Sequence, residues 1–141
     1  MEQQNTGLNN LHKQGLFFLV VGSLNALIHF LSLIFSVQVL NIQPFFANII
    51  AFIVAFTFGF FAHLKVTFQT VENKEHWIII LRKWFMSSIF GFLLNQSIFT
   101  LGIYVFGQKY YIAVWFVATG LVTIFTFILA KFWAFKGRSS S

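Results

Sequence analysis

The stretch Phe45-Phe-Ala-Asn-Ile-Ile-Ala-Phe-Ile-Val-Ala-Phe-Thr-Phe-Gly-Phe-Phe-Ala-His-Leu64 contains no Lys, Arg, Asp or Glu. Three more uncharged runs lie at about Leu16–Val37, Phe85–Phe106 and Ile112–Ala130. Each is about 19–22 residues long, which at 1.5 Å per helical residue matches a hydrocarbon core of roughly 30 Å. Backbone in lipid must satisfy its own hydrogen bonds, and a helix does this within one segment. The sequence therefore predicts an all-α integral membrane protein with four transmembrane helices.

The composition excludes several classes of protein. Of the 141 residues 58% are hydrophobic and only 9% are charged, whereas charged residues make up about a quarter of a soluble domain. There is no Cys and no Asp, so no thiolate chemistry and no Asp-x-Asp metal cluster is available. The His residues show no metal-ligand spacing. We therefore predict no enzyme, no catalytic residue, no metal and no cofactor. The net charge of +6 is scattered between apolar runs, so we predict no nucleic-acid partner.

The positions of the basic residues predict the orientation of the chain. Lys and Arg concentrate on the cytoplasmic side of membrane proteins. Eight of the nine fall in the N-terminal tail, the middle connection and the C-terminal tail, and Lys109 alone falls in a turn on the other side. Both termini are thus predicted inside, with residues 1–15 and 136–141 as cytoplasmic tails of a domain spanning residues 16–135. The outer side would carry an aromatic belt of Tyr104, Tyr110, Tyr111 and Trp115.

The two outer turns are short, so the spans form two helical hairpins. The hairpins resemble each other: Lys13 precedes Gly22 by nine residues, as Arg82 precedes Gly91. Because spans one and three run the same way, this predicts a parallel repeat about an axis along the membrane normal. The end of the middle connection, Trp77–Trp84, is expected to form a short interfacial helix of its own.

Polar residues recur at helical spacing within the spans. In span one they are Gly22, Asn25, His29, Ser32 and Ser36; in span two Asn48, Ala51, Ala55, Gly59 and Ala62; in span three Ser88, Gly91 and Asn95, with Gln96 beside them; in span four Thr119, Thr123, Thr126 and Ala130. Helix packing explains most small residues in such stripes. Asn and His are costly at this depth and often mark a pathway. Asn25, His29, Asn48 and Asn95 are therefore the candidates for an intramembrane polar path.

Five cations fall at the predicted inner membrane boundary, in matching places of the two hairpins: Lys13, Lys65, Arg82, Lys83 and Lys131. One interpretation is that they are topology anchors that contact anionic lipid. The other is a basic collar that binds a lipid phosphate through charge-assisted hydrogen bonds.

The chain resembles the GtrA family of small bacterial membrane proteins. The family's F-x-x-V-G-x-x-N stretch is read here as Phe18-Leu-Val-Val-Gly-Ser-Leu-Asn25, and its A-N-x-x-A stretch as Ala47-Asn-Ile-Ile-Ala51. The N-[RK]-x-W-x-F closing motif appears as Ala130-Lys-Phe-Trp-Ala-Phe135 and, more weakly, as His63-Leu-Lys-Val-Thr-Phe68. His63 and Ala130 replace the usual Asn, and Val66 replaces the first Trp. The resemblance runs from about Leu16 to Phe135.

The resemblance implies a role in cell-surface polysaccharide glycosylation at the bacterial inner membrane. Such proteins are thought to flip a polyprenyl-phosphate-linked sugar to the outer leaflet. A separate polytopic glycosyltransferase then uses it on O-antigen or teichoic acid. A homo-oligomer is expected, since one four-helix chain encloses little space.

Two alternatives stay open. One is a membrane partner that positions a glycosyltransferase without transporting anything. The other is a small-molecule exporter, which needs a membrane-embedded exchange site. No span contains a carboxylate, so His29 is the only substitute.

Overall fold

A computed structural model of the chain describes residues 2–70 and 74–136, with side chains at 16, 20–62, 64–65, 78–79, 81–126 and 128. The elements are α1 (Glu2–Gln38), α2 (Pro44–Thr70), α3 (Lys74–Phe106) and α4 (Tyr111–Lys136), with one 3-10 turn at Gln108–Tyr110. No strand occurs in the described ranges. The predicted all-α architecture with four helices is confirmed.

Each helix is long and apolar enough to cross a bilayer. The candidate spans are Val20–Gln38, Pro44–Ala62, Leu81–Phe106 and Gln108–Thr126. Large apolar side chains point away from the bundle on every helix; Phe35, Leu101 and Phe116, for example, are 54%, 63% and 58% exposed. Since such surface is stable only against hydrocarbon, the chain is a multi-pass membrane protein.

The helices are longer than their predicted spans. α1 begins at Glu2, so the N-terminal segment before Leu16 continues the first span as helix. The sequence predicted that Trp77–Trp84 forms a separate interfacial helix, and this prediction is wrong. α3 begins at Lys74, and the segment is part of this continuous helix. Residues 71–73 and 137–141 lie outside the described ranges. The cytoplasmic location of the two tails, residues 1–15 and 136–141, stays a prediction.

The two hairpin turns have recognisable turn chemistry. After α1 the backbone reverses at Asn41, whose φ of 54° is left-handed, a conformation that Asn tolerates better than most residues. Pro44 then opens α2, where its missing N–H costs nothing. After α3 the chain turns at Gly107, with φ of 94°, where a residue with a Cβ would be strained. The end of the bundle that carries both turns is called the loop end, and the opposite end the termini end.

The helices are neighbours in chain order around the bundle. Small residues at four-residue steps bring α2 onto α1: Ala47, Ala51 and Ala55 are 0%, 0% and 3% exposed, which lets the backbones approach closely. On α3 and α4, Gly102 faces Val114 so closely that a Cβ at Gly102 would overlap its side chain.

Aromatic rings join the remaining pairs of helices. Between α2 and α3, Phe52 stacks on Phe92 with ring centroids 3.9 Å apart. Between α1 and α4, Phe30 packs on Trp115 at 4.9 Å. Both hairpins are therefore joined into one up-down bundle, with α1 parallel to α3 as predicted from their order.

The buried core lies towards the loop end. Its members form one cluster: Leu33, Ala47, Ala51, Phe99, Ile103, Tyr111, Val114, Trp115 and Ala118. Two of them correct the sequence analysis. Tyr111 and Trp115 were expected in an outer aromatic belt, but they are only 7% and 4% exposed. Tyr104 and Tyr110, at 87% and 50%, do lie at the surface of the loop end. Both buried rings face α1: Trp115 packs on Phe30, and the Tyr111 hydroxyl accepts a hydrogen bond of 3.2 Å from Gln38 Nε2.

Candidate functional site

A layer of hydrogen-bonded polar side chains crosses the bundle where the core cluster ends. Asn48 of α2 donates from Nδ2 to Gln96 Oε1 at 2.8 Å and to Asn95 Oδ1 at 3.4 Å on α3. Asn95 Nδ2 in turn donates to Thr119 Oγ1 of α4 at 3.3 Å. His29 of α1 completes the set, since its Nε2 lies 3.4 Å from the Asn48 carbonyl oxygen. These five residues, called the polar layer, connect all four helices.

Backbone and aromatic contacts hold the layer in place. Gln96 Nε2 donates to the Phe45 carbonyl oxygen at 3.3 Å, near the start of α2. With Nε2 of His29 donating to a carbonyl, its Nδ1 is the acceptor nitrogen of the neutral ring. The His29 ring meets Trp115 edge to face, with centroids 5.6 Å apart. The core residue Trp115 and the start of α2 thus hold two members of the layer in place.

Three buried polar atoms have no hydrogen-bond partner in the described part of the chain: Asn25 Oδ1, Asn48 Oδ1 and Trp115 Nε1. Asn48 is 0% exposed and Trp115 4%, so lipid or solvent outside the bundle does not reach them. An unpaired buried group costs about 1–3 kcal/mol. Two acceptor oxygens and one N–H donor are therefore left without a hydrogen-bond partner among the described residues.

Asn25 lies one helical turn from His29, on the side of the termini end. Its Oδ1 is 3.2 Å from the position that a Cβ would occupy on Gly59 of α2. Trp84 of α3 approaches the same position to 3.4 Å and stacks on Phe56 with centroids 5.1 Å apart. Gly59 therefore makes room for both side chains, and a larger residue there would displace the Asn25 amide.

The predicted polar path is only partly one cluster. The structure brings His29, Asn48 and Asn95 together and places Asn25 beside them without a bond to the layer. Sequence reasoning missed the central part of Gln96, which bonds two side chains and a backbone carbonyl. Its position next to Asn95 inside an apolar run was the available signal. Trp115 carried no such signal, because Trp is ordinary at a membrane interface.

The stripe predicted on span four is wrong for two of its threonines. Thr123 and Thr126 are exposed and donate to carbonyl oxygens of their own helix, at 2.7 and 2.8 Å. Among the described threonines of this stripe, Thr119 alone bonds to another helix. The Ala130 side chain lies outside the described residues.

The predicted collar falls at the termini end. Lys65 lies near the end of α2, and Arg82 and Lys83 lie near the start of α3; all three are exposed. The chain's acids, Glu2, Glu72 and Glu75, have no described side chain, so no ion pair is described for these cations. Lys13 and Lys131 lie within α1 and α4 towards the same end, but their side chains lie outside the described residues.

The described residues include no group of three His, Cys, Asp or Glu side chains that could hold a metal ion. What the layer and the collar offer is hydrogen bonding within the membrane span and positive charge at its edge. Together with the four spans, these features define a small multi-pass membrane protein with a polar centre.

Comparison with known families makes the assignment more specific. The GtrA/DPMS transmembrane domain matches residues 17–135, and the chain belongs to this family. The resemblance read from the sequence motifs is thereby confirmed. Membership makes the chain a membrane protein of glycosylation pathways, in a family whose members are generally non-catalytic. Comparisons with curated proteins and with solved structures gave no match.

Proposed function

We propose that this protein flips a polyprenyl-phosphate-linked sugar across the bacterial inner membrane, for use by a polytopic glycosyltransferase in cell-surface polysaccharide glycosylation. The protein itself has no catalytic role in this proposal. The main supporting observation is the polar layer with its three unpartnered buried atoms, in a protein of the GtrA/DPMS family.

The unpartnered atoms match the chemistry of a sugar. A sugar hydroxyl both donates and accepts hydrogen bonds. It can therefore pair with Asn25 Oδ1 or Asn48 Oδ1 as donor, and with Trp115 Nε1 as acceptor. Helix packing alone does not require such atoms, because a small apolar residue at each position would avoid the cost of burying them. Polar groups retained at this depth are typical of a transport pathway.

The collar matches the phosphate of the same substrate. Cations bind phosphate oxygens through charge-assisted hydrogen bonds, and Lys65, Arg82 and Lys83 are exposed near the antiparallel ends of α2 and α3. The cation count of eight against one favours the cytoplasmic side for this end. In this orientation the collar receives the substrate from inside, and the hydrocarbon tail stays in the surrounding lipid.

The buried state of the layer also favours a second candidate. Asn48 is 0% exposed and its amide holds α2 to α3, so transport requires these helices to separate. A protein that only positions a glycosyltransferase needs no such movement. In either role a homo-oligomer is part of the proposal, since several copies can enclose a larger polar space than one bundle.

Reconstitution separates the two candidates. Vesicles containing the protein and a labelled polyprenyl-phosphoryl sugar are assayed for the fraction of label accessible in the opposite leaflet. We expect faster transfer than in protein-free vesicles. The double variant Arg82→Gln with Lys83→Gln should slow transfer by about tenfold or more, since each charged hydrogen bond contributes about 1.5–3 kcal/mol.

The matched control keeps the charge: Arg82→Lys with Lys83→Arg should retain most of the transfer. If a folded wild-type sample transfers no faster than empty vesicles but co-purifies with a glycosyltransferase, the positioning role replaces the flippase. If both double variants slow transfer equally, positive charge at the collar is not what binds the substrate.

A further inference from the structure

A groove opens between α3 and α4 at the loop end, away from the collar and the polar layer. It has a volume of about 540 Å³ and is lined by apolar side chains, with Leu101, Val105 and Val117 along its walls and Tyr110 at the end nearest the turn. Leu101, Val105 and Val117 are 60–63% exposed, so the groove is open to the surrounding hydrocarbon. Its shape is that of a trough between two helices.

The floor of the groove is tightly packed. Gly102 lines the groove, and so does Val114, which occupies the space of the missing Gly102 side chain. The helices are therefore in contact beneath the trough, and they do not need to move for a chain of methylene groups to lie in it.

A single cation stands at the mouth of this groove. The Lys109 ammonium lies 4.8 Å from the centre of the Tyr110 ring, and the same ring lines the groove. A cation over an aromatic face is held in place by the ring quadrupole. The Lys109 charge and the apolar groove thus share the Tyr110 ring, at the start of the candidate span Gln108–Thr126.

The chain provides no counter-charge for Lys109. Residues 14–64 contain no Lys, Arg, Asp or Glu, and residues 84–130 contain Lys109 alone. These ranges include both hairpin turns and the whole loop end of the bundle. An anion that pairs with Lys109 therefore comes from outside this end of the protein, and lipid phosphates are the anions that a membrane itself supplies near its surface.

We propose that this groove is a binding site for a phosphate-bearing lipid, whose phosphate pairs with Lys109 and one of whose hydrocarbon chains lies between α3 and α4. The site is distinct from the collar and lies at the other end of the bundle. It requires no transport, so it stands or fails separately from the proposed function. If the flippase proposal also holds, the groove lies where a translocated phosphate lipid would arrive.

Photolabelling of the full chain in lipid nanodiscs tests the site directly. Two probes carry the same photoactivatable chains: a phosphatidylglycerol and a diacylglycerol without phosphate. Labelled peptides are identified by mass spectrometry. We expect residues 98–117 to be labelled about fivefold more by the phosphate probe, the preference that one cation near a membrane surface gives. Lys109→Gln should remove the preference, and Lys109→Arg should keep it.

A second pair of variants tests the trough. Val117→Trp fills the groove and should lower labelling at Leu101 and Val105 by severalfold. Leu121→Trp places the same ring one turn further along α4, at a residue that is 50% exposed and does not line the groove, and should change nothing. The three substituted side chains, those of Lys109, Val117 and Leu121, are exposed, so we expect folding to be preserved, and size-exclusion chromatography checks it.

Two results would overturn the proposal. Equal labelling of residues 98–117 by both probes, or a preference that survives Lys109→Gln, means that the cation binds no lipid phosphate. Labelling unchanged by Val117→Trp means that the chain does not lie in the groove. Each result is read from binding alone, whatever the vesicle transfer assay gives.

Discussion

The two ends of the bundle are built differently. Towards the loop end, small residues, Phe99 and the rings of Tyr111 and Trp115 form one continuous buried cluster. Towards the termini end, the buried apolar residues among the described side chains are Val21, Ala55 and Leu81, and the described contacts include aromatic pairs of α2 and α3 such as Phe56 and Trp84. The polar layer marks the boundary between the two regions.

Because of this difference, we expect the loop end to determine the stability of the protein and the termini end to determine its proposed transport function. A dense core resists opening, whereas a region with few buried contacts opens at low cost. The exposed cations lie at the termini end, where fewer of the described side chains are buried and where the proposed substrate would enter between helices. We therefore expect substitutions at the loop end to change the free energy of unfolding, and those at the termini end to change transport at nearly constant stability.

The largest expected contrast uses two phenylalanines of α3. Phe99 is 0% exposed and Phe90 is 57% exposed. Phe99→Ala removes a ring from the core cluster and should lower the free energy of unfolding by about 3–5 kcal/mol. Phe90→Ala exchanges contact with the ring for contact with lipid, which is equally apolar, and should cost less than about 1 kcal/mol. Denaturant titration in mixed micelles measures both; a similar loss in Phe90→Ala would mean that the Phe90 ring packs against protein and not only against lipid.

A second contrast uses two glycines of the same helix. A Cβ at Gly102 overlaps the stiff Val114 side chain, whereas no described atom lies within 4 Å of the Cβ position at Gly91. Gly102→Ala should therefore destabilise by about 1–3 kcal/mol through overpacking. Gly91→Ala should be neutral or stabilise by up to about 1 kcal/mol, because Ala is the better helix former. Destabilisation by Gly91→Ala would reveal a packing partner at the termini end.

The third contrast compares two asparagines. Asn48→Leu removes two hydrogen-bond donations to α3 and leaves the Asn95 and Gln96 oxygens unpaired, so we expect a loss of about 1–2 kcal/mol. Asn25→Leu removes an amide oxygen that has no partner among the described residues, and stability should be unchanged or slightly higher. Transfer of the labelled lipid-linked sugar should nevertheless fall in Asn25→Leu. A variant that loses stability but transfers normally would show that Asn25 serves only packing.

Much of the fold could be predicted from the sequence, because it depends on one-dimensional properties. Runs of about 20 uncharged residues predict spans in lipid whatever their neighbours are. The step of four from Ala47 to Ala51, Ala55 and Gly59 likewise predicts a close helix contact, which the burial of all four confirms.

The site was less predictable, because it depends on how each helix is rotated against its neighbours. Tyr111 and Trp115 have the composition of a membrane-interface belt but lie in the core, since their face of α4 meets α1. Gln96 and Asn95 are adjacent in the chain, and yet both reach Asn48, because one lies on each side of the α2 contact. Which amide oxygens stay unpartnered follows only from such three-dimensional placement.

The smallest expected contrast tests helix rotation with two threonines that looked equivalent in the sequence. Thr119 accepts a hydrogen bond from Asn95 Nδ2 across the α3–α4 interface, whereas Thr123 bonds to the Thr119 carbonyl of its own helix. Val has nearly the same shape as Thr and lacks the hydroxyl. Interhelical hydrogen bonds in membranes contribute about 0.6 kcal/mol on average, so Thr119→Val should cost about that much.

Thr123→Val removes only the hydrogen bond from the Thr123 hydroxyl to the Thr119 carbonyl of the same helix. Because that carbonyl keeps its backbone hydrogen bond, stability should change by less than about 0.3 kcal/mol. The Asn95→Ala background distinguishes the two cases further. There, Thr119→Val should have no additional effect, because its partner is already gone. An undiminished cost in that background would mean that Thr119 acts on something other than Asn95, and the polar layer would then end at α3 instead of reaching α4.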